Sequence, residues 1–312
     1  MNSSKFVKFE SRNDVIKLAD KFYLIQGLNQ SHFPFCNGFL LTGQNTVLID
    51  AGLGEAKMSE IDDLMRIDIL IISHSHPDHI LAWHVLKDRH ILLPKETPEA
   101  VKDLRLLGRR FTSTAERAEY WASRVGDGLG IQPLQDPNGR FCDGELLEVG
   151  DAKLEAVHAP GHLNDHYCFI EQESGILLTT DIDFTSFGPW YGNPECDIEL
   201  FEQSVKKVMK IPHRQACSSH SLPIKENTTE KFESWLAVFG LRRKIILELC
   251  EFPRTMEQIV AESPFYRNRF MDKVMQNMFE EQMVQKHLAM LVRDGLLELS
   301  HGKYQRNMKG TP

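Results

Sequence analysis

Ile69-Leu70-Ile71-Ile72-Ser73-His74-Ser75-His76-Pro77-Asp78-His79 is the stretch that decides how this chain reads. Four apolar residues without a polar break, stopped by a Ser and a Pro, predict a fully buried strand, so the histidines sit at its C-terminal edge. In extended chain, residues two apart point the same way, and His74 and His76 bring two imidazoles to one metal. Asp78 and His79 follow Pro77, which suits the first turn of a helix and turns their side chains away from that pair, toward a second metal nearby. The plainer alternative is a polar turn whose histidines cap a helix. Four ligand-type residues within so short a run weigh against it.

The run resembles the His-x-His-x-Asp-His signature of the metallo-β-lactamase fold superfamily. That resemblance implies an α/β fold, an αββα sandwich, with further ligands downstream, each at the end of a strand. Asp50, in Leu48-Ile49-Asp50-Ala51-Gly52, resembles the family's first motif. A carboxylate at a buried strand end needs a partner, and here it would hold a metal-bound histidine from behind; a turn-initiating Asp is the alternative. His162, in Ala159-Pro160-Gly161-His162, lies where the third motif places a ligand. Asp181 resembles the bridging carboxylate, and His220 the last motif, with Ser219 where the family often has Gly. His213 is a rival for that last role, but it precedes its strand. The resemblance therefore implies His74, His76 and His162 on one metal, Asp78, His79 and His220 on the other, and Asp181 between them. Asp50 and Asp78 are the carboxylates expected to serve catalysis. Imidazole and carboxylate without thiolate suit two Zn²⁺, with Fe or Mn as alternatives, activating water against a thioester, lactone or other carboxylic ester. A lactonase-like Tyr soon after the bridging Asp is not evident, because Phe184 holds the near position and the first Tyr is Tyr191.

Size and composition agree with an enzyme. A chain of 312 residues, 42% hydrophobic and 26% charged, can bury a sizeable core and is neither disordered nor fibrous in character. No apolar run approaches the ~18 residues of a membrane helix, and the start leads into no apolar signal segment, so a cytoplasmic location is expected. The cysteines (Cys36, Cys142, Cys168, Cys196, Cys217 and Cys250) form no Cys-x-x-Cys pair and read as reduced, mostly small core residues. Residues 228–312 carry 13 Lys and Arg against 11 Asp and Glu, a balance of +2, which leaves 23 against 33, or −10, for residues 1–227. Neither part has the basic surface of a strong nucleic-acid binder.

Between the motifs, residues 22–25 predict a strand, 37–42 and 46–50 a hairpin, 55–65 a helix and 80–86 another. Residues 95–127 are helical and charged. Their Arg105, Arg109, Arg110, Arg117 and Arg124 read as a solvated face, or as a lid selecting an anionic substrate. Further hairpins are expected at 141–149 with 153–158, around Gly150-Asp151, and at 168–173 with 175–180. The aromatic loop 184–192 is a pocket wall or a cover for the sheet edge, and 199–210 an amphipathic helix. His84 and His90 read as surface or satisfied core residues, His158 as part of a strand, and His166 as a core hydrogen-bonder.

Composition changes near residue 227, dividing the chain into a catalytic domain, 1–227, and a small domain, 228–312. The latter predicts helices at 232–252, from a capping box at Thr255, and at 265–294, then a hairpin at 296–299 and 302–305. This pattern resembles the winged helix that trails one branch of the family, including its endoribonucleases. The segment 280–287 has two acids and few bases, whereas phosphate contacts need cations. Packing on the catalytic domain, a homodimer contact or a pocket wall is therefore favoured over nucleic acid, and a small molecule is the expected substrate. The alternatives are an endoribonuclease or phosphodiesterase, a mononuclear iron persulfide dioxygenase, and a non-catalytic DNA-binding regulator.

Overall fold

The computed structural model describes residues 3–149 and 152–307. Helix α1 (Ser3–Glu10) leads into strands β1 (Val15–Ala19), β2 (Phe22–Ile25), β3 (Gly38–Leu41) and β4 (Val47–Ile49), then helix α2 (Glu55–Met65) and strand β5 (Ile69–Ile71). After β6 (His90–Pro94) come helices α3 (Leu104–Phe111) and α4 (Ala115–Trp121) and strand β7 (Gly139–Phe141). The seven strands form one sheet in chain order, antiparallel from β1 to β4 and parallel from β4 to β7. A second sheet has β8 (Leu146–Val149), β9 (Ala152–His158), β10 (Tyr167–Glu171) and β11 (Ile176–Thr180), with helix α5 (Ile198–Met209) leading to β12 (Gln215–Ser218), parallel to β11. The turn predicted at Gly150-Asp151 lies outside the described residues; the flanking strands pair antiparallel across it. Helices α6 (Thr228–Leu249), α7 (Met256–Ala261) and α8 (Lys273–Arg293) and the hairpin β13 (Leu297–Ser300) and β14 (Lys303–Arg306) complete the chain.

The strands' alternation builds the layers. Leu24, Phe39, Val47, Ile49 and Ile71 turn inward against Phe169, Ile176 and Leu178 of the second sheet. Their neighbours Tyr23, Leu40, Leu48 and Leu70 point outward, where α1, α2 and the helical insert cover them. On the other side Ile170 and Leu177 meet Phe201 and Val205 of α5 and Phe232, Trp235 and Phe239 of α6. The result is the αββα order that the family resemblance implies. Helix α8 is buried on most sides: Met275, Met278 and Phe279 enter the first outer cluster, whereas Met283, Val284, Leu288 and Leu291 enter the second. The C-terminal helices thus share the cores that cover the two sheets.

Two predicted helices are altered. Residues 80–86 form only a short helical turn at Trp83–Leu86, because the backbone on either side is committed elsewhere: Ala51 N–H donates to the His79 carbonyl, and Ala82 N–H to that of Ala51. Of 265–294, only the part from Lys273 is helix. Glu280, buried, accepts from Ser263 Oγ and from the N–H groups of Phe265 and Tyr266, holding the preceding residues in a compact loop. Asp272 then caps α8 through the N–H groups of Val274 and Met275.

Candidate metal centre

Four loops, after β5, β9, β11 and β12, meet at one place, and their side chains form two abutting groups. His74, His76, His162 and Asp181 make the first, Asp78, His79 and His220 the second. The structure thereby brings together all seven residues picked out in the sequence. The His76 Nδ1 atom lies 3.1 Å from His74 Nε2 and 2.8 Å from His162 Nε2. Asp181 turns its two oxygens to different groups. Its Oδ2 is 3.5 Å from His74 and 3.1 Å from His162, whereas Oδ1 is 2.9 Å from His79 Nε2 and 3.6 Å from His220 Nε2. Asp78 Oδ2 stands 3.2 Å from His220 Nε2.

The outer nitrogens fix the tautomers. His79 Nδ1 donates to Asp50 Oδ2 at 2.9 Å, His162 Nδ1 to the Trp190 carbonyl at 2.9 Å, and His220 Nδ1 to the Ser31 carbonyl at 2.7 Å. His74 Nδ1 donates to Ser73 Oγ, which gives its own proton to Asp50. Each of these imidazoles, when neutral, then aims a bare lone pair inward. His79 Nε2 and Asp181 Oδ1 face each other, buried, with no hydrogen-bond partner. Lone pairs so packed repel unless a cation lies among them, so the donor set fits metal. Burial lowers His74 well below the ordinary imidazole range and His76 to about 4, keeping both in the neutral form a metal requires. At His220 burial opposes the charge, but Asp181 and Asp78 overcome it and raise the pKa to about 9. A field that holds a proton there attracts a metal cation equally.

Asp50 occupies the supporting position expected for it, fully buried, accepting also from Ser73 N–H at 2.7 Å. Its φ of +67° is a strained value for a residue with a Cβ. A Cβ on Gly52 would overlap the Asp78 carbonyl and Cys36 Sγ, so only glycine lets this turn lie under the histidine loop. His166 is a core hydrogen-bonder, bonded to the Ala159 carbonyl at 2.7 Å and Thr180 Oγ1 at 2.8 Å. His213 packs on Phe232 and bonds the Ile211 carbonyl, away from the cluster. His90 is exposed, and His158 bonds the Asn164 carbonyl.

Sequence reasoning missed several supports. Asn193 lies 3.4 Å from His76 Nε2 through its side-chain amide, whose oxygen has no partner. Cys36, read as a core cysteine, sits beside Asp50 and His79, with its thiol pushed up by burial. Of the arginines considered for a lid, Arg110 is buried. It pairs with Asp165 at 2.7 Å and with Glu195, and donates to Ser75, between the first two histidines. Arg105, Arg117 and Arg124 pair with Glu119, Glu281 and Asp272. Arg109 lines a cavity with Glu96, Asn164 and Glu195 and with none of the histidines. No signal in spacing marks Asn193 or Arg110. Trp190 of the aromatic loop and Phe111 of α3 place their rings 5.1 and 5.4 Å from that of His76, whereas Phe184 and Phe187 of the loop pack on the second outer core. No helix among the described residues is long and apolar enough to cross a membrane.

Known proteins resemble this chain in sequence and in fold. Residues 33–233 match the family model of the Metallo-beta-lactamase superfamily. The chain is 30% identical over 167 residues to hydroxyacylglutathione hydrolase GloC of Haemophilus influenzae, covering 52% of this chain and 73% of that protein. It is 24% identical over 178 residues to an atrochrysone carboxyl ACP thioesterase of Aspergillus terreus, covering 54% and 46%. The chain spans about half the length of that thioesterase and of the lactamase-like protein ptaB of Pestalotiopsis fici, to which it is 26% identical. A metallo-beta-lactamase family protein from Thermus thermophilus superposes with a TM-score of 0.73 at 22% identity, covering 93% of this chain and all of that one. A beta-lactamase domain protein from Burkholderia ambifaria gives 0.70 at 18% identity, covering 98% and 99%. The last two share the fold over the C-terminal helices as well. By its sequence match over residues 33–233, the chain belongs to the metallo-beta-lactamase superfamily.

Proposed function

We propose that His74, His76 and His162 hold one divalent cation, Asp78, His79 and His220 a second, and Asp181 both, and that the protein hydrolyses an acyl thioester. The observation that carries this reading is the Asp181 carboxylate, each of whose oxygens lies against a different histidine group. Imidazole and carboxylate donors suit Zn²⁺. The cation pair, when bound, supplies Lewis acidity that brings the pKa of water toward ~7 and polarises the scissile carbonyl.

The chain's own residues do the rest. Asp50 and Ser73 set the ring orientations of His79 and His74. Burial works against charge on Asp78 and Asp181, yet the surrounding histidines hold both below the usual carboxylate range. At neutral pH they stay anionic and serve as fixed charge. Trp190 and Phe111 shield the His76 side from solvent, which strengthens electrostatic interactions inside. A thioester is favoured over a lactone or other carboxylic ester because two relatives are named as an ACP thioesterase and a hydroxyacylglutathione hydrolase. An RNA substrate is disfavoured because Glu280, Gln282, Met283 and His287 of α8 are buried, leaving the expected recognition segment no basic face. Residues 1–227 are read as the catalytic domain and 228–312 as a winged-helix-like appendage that packs on it.

Metal content and turnover of purified protein test the reading. Two Zn²⁺ per chain and hydrolysis of acyl thioesters, ahead of lactones and phosphodiesters, are expected. His76→Ala and Asp181→Ala should abolish turnover in folded protein. Retained activity in either variant would sink this site, and one Fe per chain with O₂ uptake would point to the dioxygenase.

A further inference from the structure

The loop that supports the first histidine group is held in place from the C-terminal helices. Its residues 187–193 reach the outer nitrogens of two histidines, His162 through the Trp190 carbonyl and His76 through the Asn193 amide. Arg242 of α6, buried, donates to the carbonyls of Phe187 and Pro189, on the near side of Trp190. Its guanidinium also lies over the rings of Phe187, Tyr191 and Phe265, at 4.8, 5.3 and 5.4 Å. Two carbonyls and three aromatic faces thus satisfy this buried cation. Two more bonds come from the same side: Trp190 Nε1 donates to Tyr266 Oη at 2.7 Å, and Tyr191 Oη meets His287 Nε2 of α8 at 2.8 Å. Gly188, at φ +77°, lies tight against Val238 of α6. The outer partners of the histidines in the second group are Asp50 and Ser31, neither of them from a C-terminal helix; the α6 contact on that side is Trp235 Nε1 on Asp183, which bonds no histidine.

We infer that Arg242 is a positioning residue for the first metal group: through the Phe187 and Pro189 carbonyls it sets the Trp190 carbonyl, and so the His162 ring. The role of the C-terminal helices is then to build one half of the metal centre. The inference rests on the proposed dinuclear reading, and its test separates the two. Full-length protein is stripped with a chelator and titrated with Zn²⁺ by calorimetry, and with Co²⁺ by absorption. His162→Ala and His220→Ala assign the two binding steps.

Arg242→Met leaves two buried carbonyls without a donor. It should weaken the step that His162→Ala abolishes by ten- to a hundredfold, with the other step within twofold of wild type. Equal weakening of both steps, or of neither, overturns the clamp, since general loosening of the fold would spare neither. If wild type takes up only one cation, the dinuclear reading fails, and the clamp is still judged by the step that His162→Ala removes. Should Arg242→Met not fold, Tyr266→Phe, which removes one oxygen, is judged by the same selectivity and should act in the same direction, severalfold.

Discussion

Replacing Arg110 by Ala should unlock the helical insert from the histidine loop, and its cost can be worked from the partners left behind. Asp165 is fully buried and pairs with Arg110 at 2.7 Å; its other oxygen accepts from Ser75 Oγ at 2.6 Å. Leaving one member of a buried pair uncompensated costs about 3–5 kcal/mol. The second partner, Glu195, is 27% exposed and adds at most ~1 kcal/mol. A total near 4 kcal/mol, at roughly 2 °C per kcal/mol for a chain of this size, lowers the thermal midpoint by about 8 °C. The sign with pH is distinctive. In the wild type, burial alone would raise the Asp165 pKa, but Arg110 and Ser75 hold it below 3.8, so its contribution is present above that value and lost as pH falls through the folded pKa. Without Arg110 burial prevails and the folded pKa lies above 3.8, so the deficit of the variant shrinks as pH drops and Asp165 protonates. Urea unfolding at pH 7 and pH 5, with Asp165→Asn completing a double-mutant cycle, measures both effects. A coupling of at least ~2 kcal/mol is expected. A deficit under 1 kcal/mol at pH 7, or one that does not narrow toward acid, would refute the reasoning.

Asp50→Asn sets an amide donor against either Ser73 N–H or the Ser73 hydroxyl and His79 Nδ1–H, all of which donate to Asp50 now. It should cost about 2–3 kcal/mol and weaken cation binding ten- to a hundredfold, read by unfolding of stripped protein and chelator competition. Gly52→Ala forces a Cβ into the Asp78 carbonyl and Cys36 Sγ. Loss of about 3 kcal/mol is expected together with metal content well below wild type, and a variant that keeps both would count against the close packing of this turn. His287 is buried on Tyr191, and burial, with Arg242 and Arg243, lowers its pKa from 6.5 to about 3. Between those values the unfolded chain binds a proton that the folded one does not, so stability falls as pH drops, by up to ~1.4 kcal/mol per pH unit. His287→Gln keeps a partner for Tyr191 and should flatten urea midpoints measured from pH 6 to pH 4; parallel curves would rule out this contribution.

What the sequence reveals and conceals here follows one physical division. The ends of buried strands are legible, because an apolar run such as Ile69–Ile71 needs no partner to be recognised, and a polar residue just past it has few places to point. His74, His76, Asp50, Asp181 and His220 all sit at such ends. Helix signals are weaker where the backbone has another partner. Residues 80–86 carry a helical pattern, yet the Asp50 turn takes the hydrogen bonds around them. Least legible are polar side chains that tertiary neighbours bury. In the insert Arg110 keeps 8% of its side-chain surface while Arg105 keeps 75%, and their spacing among acids gives no hint of which turns inward. Asn193 and Arg242 are hidden for the same reason, since each becomes buried only when distant segments close over it. Composition assigns such residues to the surface, whereas desolvation makes each one costly unless its bonds are well placed. That cost makes them stiff supports, so in this fold the clustered histidines and aspartates can be picked out through the family resemblance, while the groups that aim them emerge only from packing.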